Sequence, residues 1–449
     1  DRIDGLAKVA KDASANRNIV IAFYGYHFEL TDPRSGHFNL ERLLNSKYLD
    51  GFASPESYID RNVGGLLPRT PAGSTGAFMS PVDTIQSAGK LWFVESDQRT
   101  FINRYNATTE HDAYLKPMET IGEVLEVSKR NIGINMIKGT AIWYMDLWSV
   151  GWLDDQTIWD TNGKLAEVYH AYAKTRKAPS KIDVAFVVDE KSQSLIAQPT
   201  DSAFRILSSQ RYDFYRAGIN WGMHTTRDIY NGKLNDAKVI VMLNPYRFTA
   251  SEINKIKQAA AGKTIVFAYG FGELSDSSIK SLTGMDIKRL DDRTSVIMTP
   301  AANANVLGLA GQTNFGENVN ASPRWYVASG ADAQIGRYSD GKTGFAVKNN
   351  GTYKSVFFGG MRMNADVIRA IVDYSENSHV FLRTDDVVAA NENLLVVHSS
   401  KTGIKTISFP TKCDIYDYFE DRWYMNTDNI KVSIPNGATR YFFYGKKSE

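Results

Sequence analysis

The segment KLWFVESDQRT (90–100) is an apolar run that stops abruptly on a carboxylate, Glu95, with Asp97 two positions further on. Where strands and helices alternate around a barrel, reactive groups project from the C-terminal ends of the strands, so Glu95 stands where a nucleophile belongs. The bland alternative is that both acids simply open a solvated loop. Three other apolar runs also end in polar or aromatic groups: Tyr24, Tyr26, His27 and Glu29; Ser57, Tyr58 and Arg61; and Trp143, Asp146, Trp148 and Trp152. Acids, hydroxyls, arginines and tryptophans gathered at adjacent strand ends describe a sugar-binding bowl, where rings stack on pyranose faces and charged groups bind hydroxyls.

The elements that must position these groups are legible from periodicity. Residues 1–177 alternate short buried-strand runs (NIVIAFYGYHFEL, YLDGFASPESY, KLWFVESDQRTF, GTAIWYMDLW) with helical stretches such as LKPMETIGEVLEVSKRNIGINMIK. The order strand, helix, strand predicts an α/β parallel sheet, here the second half of a TIM (β/α)8 barrel, which cannot close by itself. From KIDVAFVVDEKS a second alternation runs through KVIVMLN, KTIVFAYG and KSVFFGG to the helix NADVIRAIVDYSEN, predicting a doubly wound, flavodoxin-like domain over 181–375. Residues 377–449 carry period-two alternation with turn residues between, and are expected to form a small β-sandwich. KTRKAPSK (174–181) is the expected linker between the first two segments.

Composition removes several function classes. With 52 Lys and Arg against 50 Asp and Glu and no long run of one sign, the chain lacks the footprint of nucleic-acid binding. No stretch has the apolar length of a membrane span, and the first residues lack the apolar core of a signal peptide. The opening looks like part of a helix without a start methionine, so upstream residues are expected and the compartment stays open. A single cysteine, Cys413, excludes an internal disulfide, a multi-cysteine zinc site and an amidotransferase nucleophile at a strand-to-helix turn. The turn after VAFVVDEKS has no Gly-rich phosphate loop, and GFGE (270–273) is too short for a dinucleotide fingerprint. His27, His37, His111, His170, His224 and His398 show no metal-ligand spacing, so neither metal nor cofactor is expected.

The set FYGYHFEL, GHFNLERLL, GFASPESYIDRNVGG, MSPVDTIQSAGKLWFVESDQRT and GTAIWYMDLW resembles the fifth to eighth barrel strands of glycoside hydrolase family 42, and VAFVVDEKS continues that resemblance into the next domain. The resemblance covers essentially the whole chain and implies a retaining β-galactosidase-like hydrolase acting on β-galactosides or galactan oligosaccharides, assembled as a homotrimer. It implies Glu95 as nucleophile, Tyr58 as the tyrosine orienting it, and Tyr26, Glu29, Arg61, Arg99, Trp143, Trp148 and Trp152 as substrate contacts. A retaining mechanism needs two carboxyl groups roughly 5–5.5 Å apart. The family's acid/base lies on the fourth barrel strand, upstream of residue 1, so a complementary N-terminal half-barrel is the expected partner. Glu29 and Glu56 are the nearby carboxylates that might replace it. The competing reading is a carbohydrate-binding or scaffold protein that keeps the fold without catalysis.

Overall fold

The computed structural model describes residues 2–57, 78–97, 100–102, 118, 120–146, 151–176, 179–196, 201–376 and 378–446. Four parallel strands, β1 (Ile21–Phe23), β2 (Gly51–Pro55), β3 (Leu91–Ser96) and β4 (Ala141–Tyr144), lie side by side in sequence order. Helices Arg2–Ala13, Val82–Ser87, Ile121–Lys138 and Gln156–Thr175 alternate with them. The first apolar run gives a strand of only three residues, because Gly25 turns left-handed (φ +86°) and takes Tyr26 and His27 out of the sheet.

The two faces of this sheet differ sharply. Phe52, Ser54, Trp92 and Val94 are buried on one face. The alternate positions point the other way, and there Phe23, Leu91 and Trp143 stay 51%, 46% and 39% exposed. Parallel sheets are ordinarily covered on both faces, which is why their strands read as continuous apolar runs. Among the described residues this face is only partly covered, with Ala53 buried and Phe23, Leu91 and Trp143 exposed, and Glu95 belongs to it by register, lying between Pro55 on β2 and Trp143 on β4.

The second sheet has a parallel core of β5 (Val184–Val188), β6 (Trp221–Thr225), β7 (Val239–Met242), β8 (Thr264–Ala268) and the strand Lys354–Phe358. Their spatial order is second, first, third, fourth, fifth. β5 to β8 are buried along their whole length, and all but β6 (Trp-Gly-Met-His-Thr) are apolar runs. An antiparallel extension spanning 286–349 continues the sheet beyond the fifth strand. Its short strands carry mixed polar patterns without helical or strict period-two spacing, so they escape a reading by periodicity. Helix Ala250–Ala260 starts with a reciprocal Thr249–Glu252 capping box, and Asn364 caps Ala365–Tyr374 through the Val367 N–H at 2.9 Å.

Asp183, just before β5, is pushed up to about 6 by burial, against a hydrogen bond from the His379 backbone and the charge of Lys238. Between the ordinary carboxylate range and that value the folded chain binds more protons than the unfolded one, so this group's contribution to stability falls as pH rises through the window. Asp183→Asn is expected to stabilise the chain at pH 7.5 by about 2–3 kcal/mol and to have almost no effect at pH 3, below the ordinary carboxylate range. Denaturant midpoints at the two pH values check this.

The strands expected to form a sandwich join one continuous antiparallel sheet of five, Val387–Ala390, Leu394–His398, Gly403–Asp417, Arg422–Ile434 and Thr439–Gly445. It packs on helix Ile121–Lys138. A Cβ at Gly133 would sit 2.7 Å from the Tyr441 ring and 2.9 Å from Val396, so only glycine lets helix and sheet meet this closely. The Glu126 side chain accepts from the Thr439 N–H, and the buried Tyr441 hydroxyl donates to the Lys129 carbonyl. Among the described residues no helix is long and apolar enough to cross a membrane.

Candidate active site

Glu95 is the fifth residue of β3 and is 8% exposed. Its backbone carbonyl accepts the Glu56 N–H at 3.1 Å, which ties the ends of β2 and β3 together. Above this sheet end sits the loop after β1. His37 Nδ1 accepts from the N–H groups of Gly25 (3.1 Å) and Tyr26 (3.3 Å), and its ring stacks on Tyr26 with centroids 4.4 Å apart and planes 15° from parallel. Ser80 donates to the Gly25 carbonyl, which also takes a hydrogen bond from His27 Nδ1 at 2.7 Å. A loop fixed at this many points holds Tyr26 with little conformational freedom.

Burial first, then the carboxylates of Glu95 and Asp97, push the Tyr26 phenol well above its ordinary range. Tyr26 therefore stays protonated near Glu95 and Asp97, as a donor in a negative environment. The phenol is legible in the sequence as a bowl residue. Its coupling to Glu95 and Asp97 is not, because it depends on the Gly25 turn. Burial also holds His37 in its neutral form, with His27 adding to the effect.

The other residues expected at the site are distributed less uniformly. Trp143 shares the open face with Glu95 and presents an exposed ring. Glu29 accepts from Arg211 Nη2 at 2.7 Å and from Ser57, so its carboxylate joins the first and second sheets in a buried ion pair rather than being left for a sugar hydroxyl. Arg211, a residue the sequence did not mark, is fully buried. Its other donors reach the Phe78 carbonyl, the Ser208 carbonyl (3.0 Å) and the Ser208 hydroxyl (2.9 Å). Trp152, expected to stack on substrate, is 2% exposed, so its ring presents no open face in this structure. Tyr58, Arg61, Arg99 and Trp148 lie outside the described residues.

Glu56 follows β2 with the parity of the helix-facing residues Phe52 and Ser54, opposite to that of Glu95. Its Oε2 accepts from the Asn131 amide at 2.8 Å, and its charge adds to burial in raising the Tyr144 phenol. It props helix Ile121–Lys138 against the sheet and is turned away from Glu95, so it is not a replacement proton donor. His27 meets Glu190 at 3.0 Å and is fully buried, a structural histidine.

A strand-end carboxylate beside a protonated phenol and an exposed indole can attack an electrophilic carbon held against the open face. No family model matches the sequence, and no curated protein matches it. Solved structures do share its fold. A β-galactosidase from the psychrophilic Marinomonas ef1 superposes with a TM-score of 0.62 at 12% identity, over 99% of this chain and 66% of that one. A β-galactosidase from Rahnella sp. R3 gives 0.61 at 13% identity, over 97% and 65%. A catalytic mutant of a GH42 β-galactosidase from G. stearothermophilus gives 0.56 at 13% identity, over 90% and 61%. The chain has an α/β fold similar to that of the GH42 β-galactosidases, and it spans under two thirds of the length of these structures.

Proposed function

We propose that this chain is the C-terminal portion of a retaining glycoside hydrolase acting on β-galactosides or galactan oligosaccharides, with Glu95 as its nucleophile. The observation that carries the reading is Glu95 itself, at the end of an inner strand of a parallel sheet, in register with the exposed Trp143 and electrostatically coupled to Tyr26. The four-stranded sheet is read as half of a (β/α)8 barrel, because its strands follow sequence order and one face leaves Phe23, Leu91 and Trp143 exposed. The second sheet's parallel order, 2-1-3-4-5, supports a flavodoxin-like domain, to which we assign contacts in a homotrimer. The C-terminal sheet completes the three-domain arrangement, with boundaries near 177 and 376.

In this mechanism Glu95 attacks the anomeric carbon and forms a glycosyl-enzyme, which water then hydrolyses. Tyr26 stands protonated in the field of the Glu95 and Asp97 carboxylates, and Asp97 adds negative potential that favours the oxocarbenium-like transition state. Trp143, Trp148, Arg61 and Arg99 bind the sugar, and Tyr58 orients the nucleophile, as the resemblance implies. Glu29 and Glu56 being engaged elsewhere, the proton donor comes from a complementary half-barrel that covers the open face of β1 to β4. The chain without that half is expected to turn over substrate roughly 10²–10⁴-fold more slowly than with it.

The test is a mechanism-based trap. The chain, with and without the complementary half, is incubated with a 2-fluoro-galactoside bearing an activated leaving group, which needs no protonation to depart. A mass gain on the peptide containing Glu95 is the expected result. Label on a different carboxylate would reassign the nucleophile. Saccharide binding without label would favour a carbohydrate-binding protein that keeps the fold without catalysis.

A further inference from the structure

The backbone of Gly25 is gripped from two sides by histidines that play opposite parts. Its carbonyl accepts from Ser80 and faces His27 Nδ1 at 2.7 Å, while His27 Nε2 faces the Glu190 carboxylate at 3.0 Å, so both nitrogens of His27 meet acceptors. On the other side the N–H groups of Gly25 and Tyr26 converge on a single atom, His37 Nδ1, at 3.1 and 3.3 Å. A ring nitrogen that accepts two hydrogen bonds carries no proton. His37 is therefore the neutral imidazole with its hydrogen on Nε2.

Packing holds His37 in that attitude. Its half-buried ring lies against Tyr26, with centroids 4.4 Å apart, and against Tyr24 at 5.2 Å. The Tyr24 hydroxyl donates to the Gly36 carbonyl at 2.7 Å and accepts the Asn39 N–H at 3.1 Å, so the chain before and after His37 is tied to the end of β1. The titratable groups around the ring are Tyr24, Tyr26 and His27. Glu190, from the end of β5, is taken up by His27 and by the N–H groups of Leu40 and Glu41, and the Glu41 carboxylate accepts from the Arg227 N–H. Among the described residues no carboxylate is hydrogen-bonded to His37 in a way that would keep a second proton on it, and burial with the neighbouring His27 lowers its affinity for one.

A proton on Nδ1 would turn the acceptor into a donor aimed at two donors and would leave both amides without their partner. Because the folded chain resists that proton more than the unfolded chain does, the turn's stability is fully present above the ordinary imidazole value of 6.5 and is lost progressively as pH falls below it.

We propose that His37 is a proton-sensitive positioning residue: neutral, it sets the Gly25 turn that brings Tyr26 into the field of Glu95 and Asp97, and protonated, it releases that turn and disassembles the candidate site. It acts through the backbone of Gly25 and Tyr26. The consequence for turnover rests on Glu95 being the nucleophile, whereas the release of the turn does not.

The turn is read by amide hydrogen exchange of the full chain, followed by mass spectrometry on the peptide spanning 22–28 and divided by the rate of an unstructured peptide at the same pH. Exchange in the original chain is expected to speed roughly tenfold between pH 7.5 and pH 5, as two amides lose their acceptor. His37→Asn puts a carboxamide oxygen in the place of Nδ1, accepting the same amides without taking a proton, so the pH step is expected to vanish; His37→Ala should exchange fast at every pH. The 15N shifts of His37 in the original chain check the same point without a substitution, Nδ1 being bare at pH 7.5 and titrating together with the exchange step. The rate of labelling by the 2-fluoro-galactoside, with the complementary half present, should fall over the same interval and fall less steeply in His37→Asn. Exchange that ignores pH in the original chain, a step that persists in His37→Asn and so belongs to another group, or a proton on Nδ1 at pH 7.5 would each overturn the inference, whatever the label shows. The expected exchange pattern without label on the Glu95 peptide would keep His37 in its role and remove the nucleophile instead.

Discussion

Glu95→Gln in the complete enzyme is expected to lower kcat by at least about 10³-fold while leaving the thermal transition within a degree or two, because the amide keeps the shape of the carboxylate and loses only its nucleophilicity. Glu95→Gly separates the possible roles of the side chain. With the carboxylate gone, azide can enter the space and attack the anomeric carbon of an activated β-galactoside. If Glu95 is the nucleophile, the product is the α-galactosyl azide, of inverted configuration. If it were the acid/base, azide would intercept the glycosyl-enzyme and the product would keep the β configuration. Proton NMR of the azide product therefore reads the role of Glu95 independently of any rate. A Glu95→Gln enzyme with unchanged kcat would remove the residue from the mechanism altogether.

Arg211→Met is expected to produce the largest loss of stability, about 3–5 kcal/mol, because it leaves the Glu29 carboxylate buried without its counter-charge. It also leaves the Phe78 carbonyl without this donor and removes the guanidinium from above the Phe28 ring, 5.1 Å away. Arg211→Lys should recover only part of the loss, since a single ammonium cannot reproduce the fork that reaches Glu29, Phe78 and Ser208 together. The double variant Arg211→Met with Glu29→Met should recover most of it, because removing both partners leaves no stranded charge. Chemical denaturation of the three variants checks the order. A Met single variant as stable as the original would mean that the pair contributes nothing to joining the first two sheets.

The sequence made different parts of this protein legible for physical reasons that can be named. β5, β7 and β8 are apolar runs buried along their whole length, and such strands show in one dimension because burial demands apolar residues throughout, whereas β6, equally buried, carries His224 and Thr225 and has no such run. Glu95 was legible because a charge ending such a run is rare. Helix Ile121–Lys138 was legible from its spacing, while its buried polar residues Arg130, Asn131, Asn135 and Lys138 blurred that spacing. The antiparallel extension of 286–349 was not readable, since its short strands carry mixed polar patterns even where consecutive strands pair. Glu29 and Trp152 show the limit most clearly. Each has a residue type suited to sugar binding, and each is placed elsewhere by a contact no local pattern encodes: Arg211, 182 positions on from Glu29, and the close packing around Trp152.

The contact at Gly133 has a consequence for synthesis. The Glu126–Thr439 hydrogen bond that accompanies it spans 313 residues, so the sheet that covers helix Ile121–Lys138 emerges from the ribosome long after the helix does. At translation rates of about 5–20 residues per second, the outer side of that helix waits roughly 15–60 s for its cover. During that interval β1 to β4 have an open face on one side and an incompletely sealed helical layer on the other. The helical layer over β1 to β4 is thus sealed only once Thr439 and Tyr441 have been made, so helix Ile121–Lys138 must tolerate water on its Gly133 side for most of the synthesis of the residues that follow it.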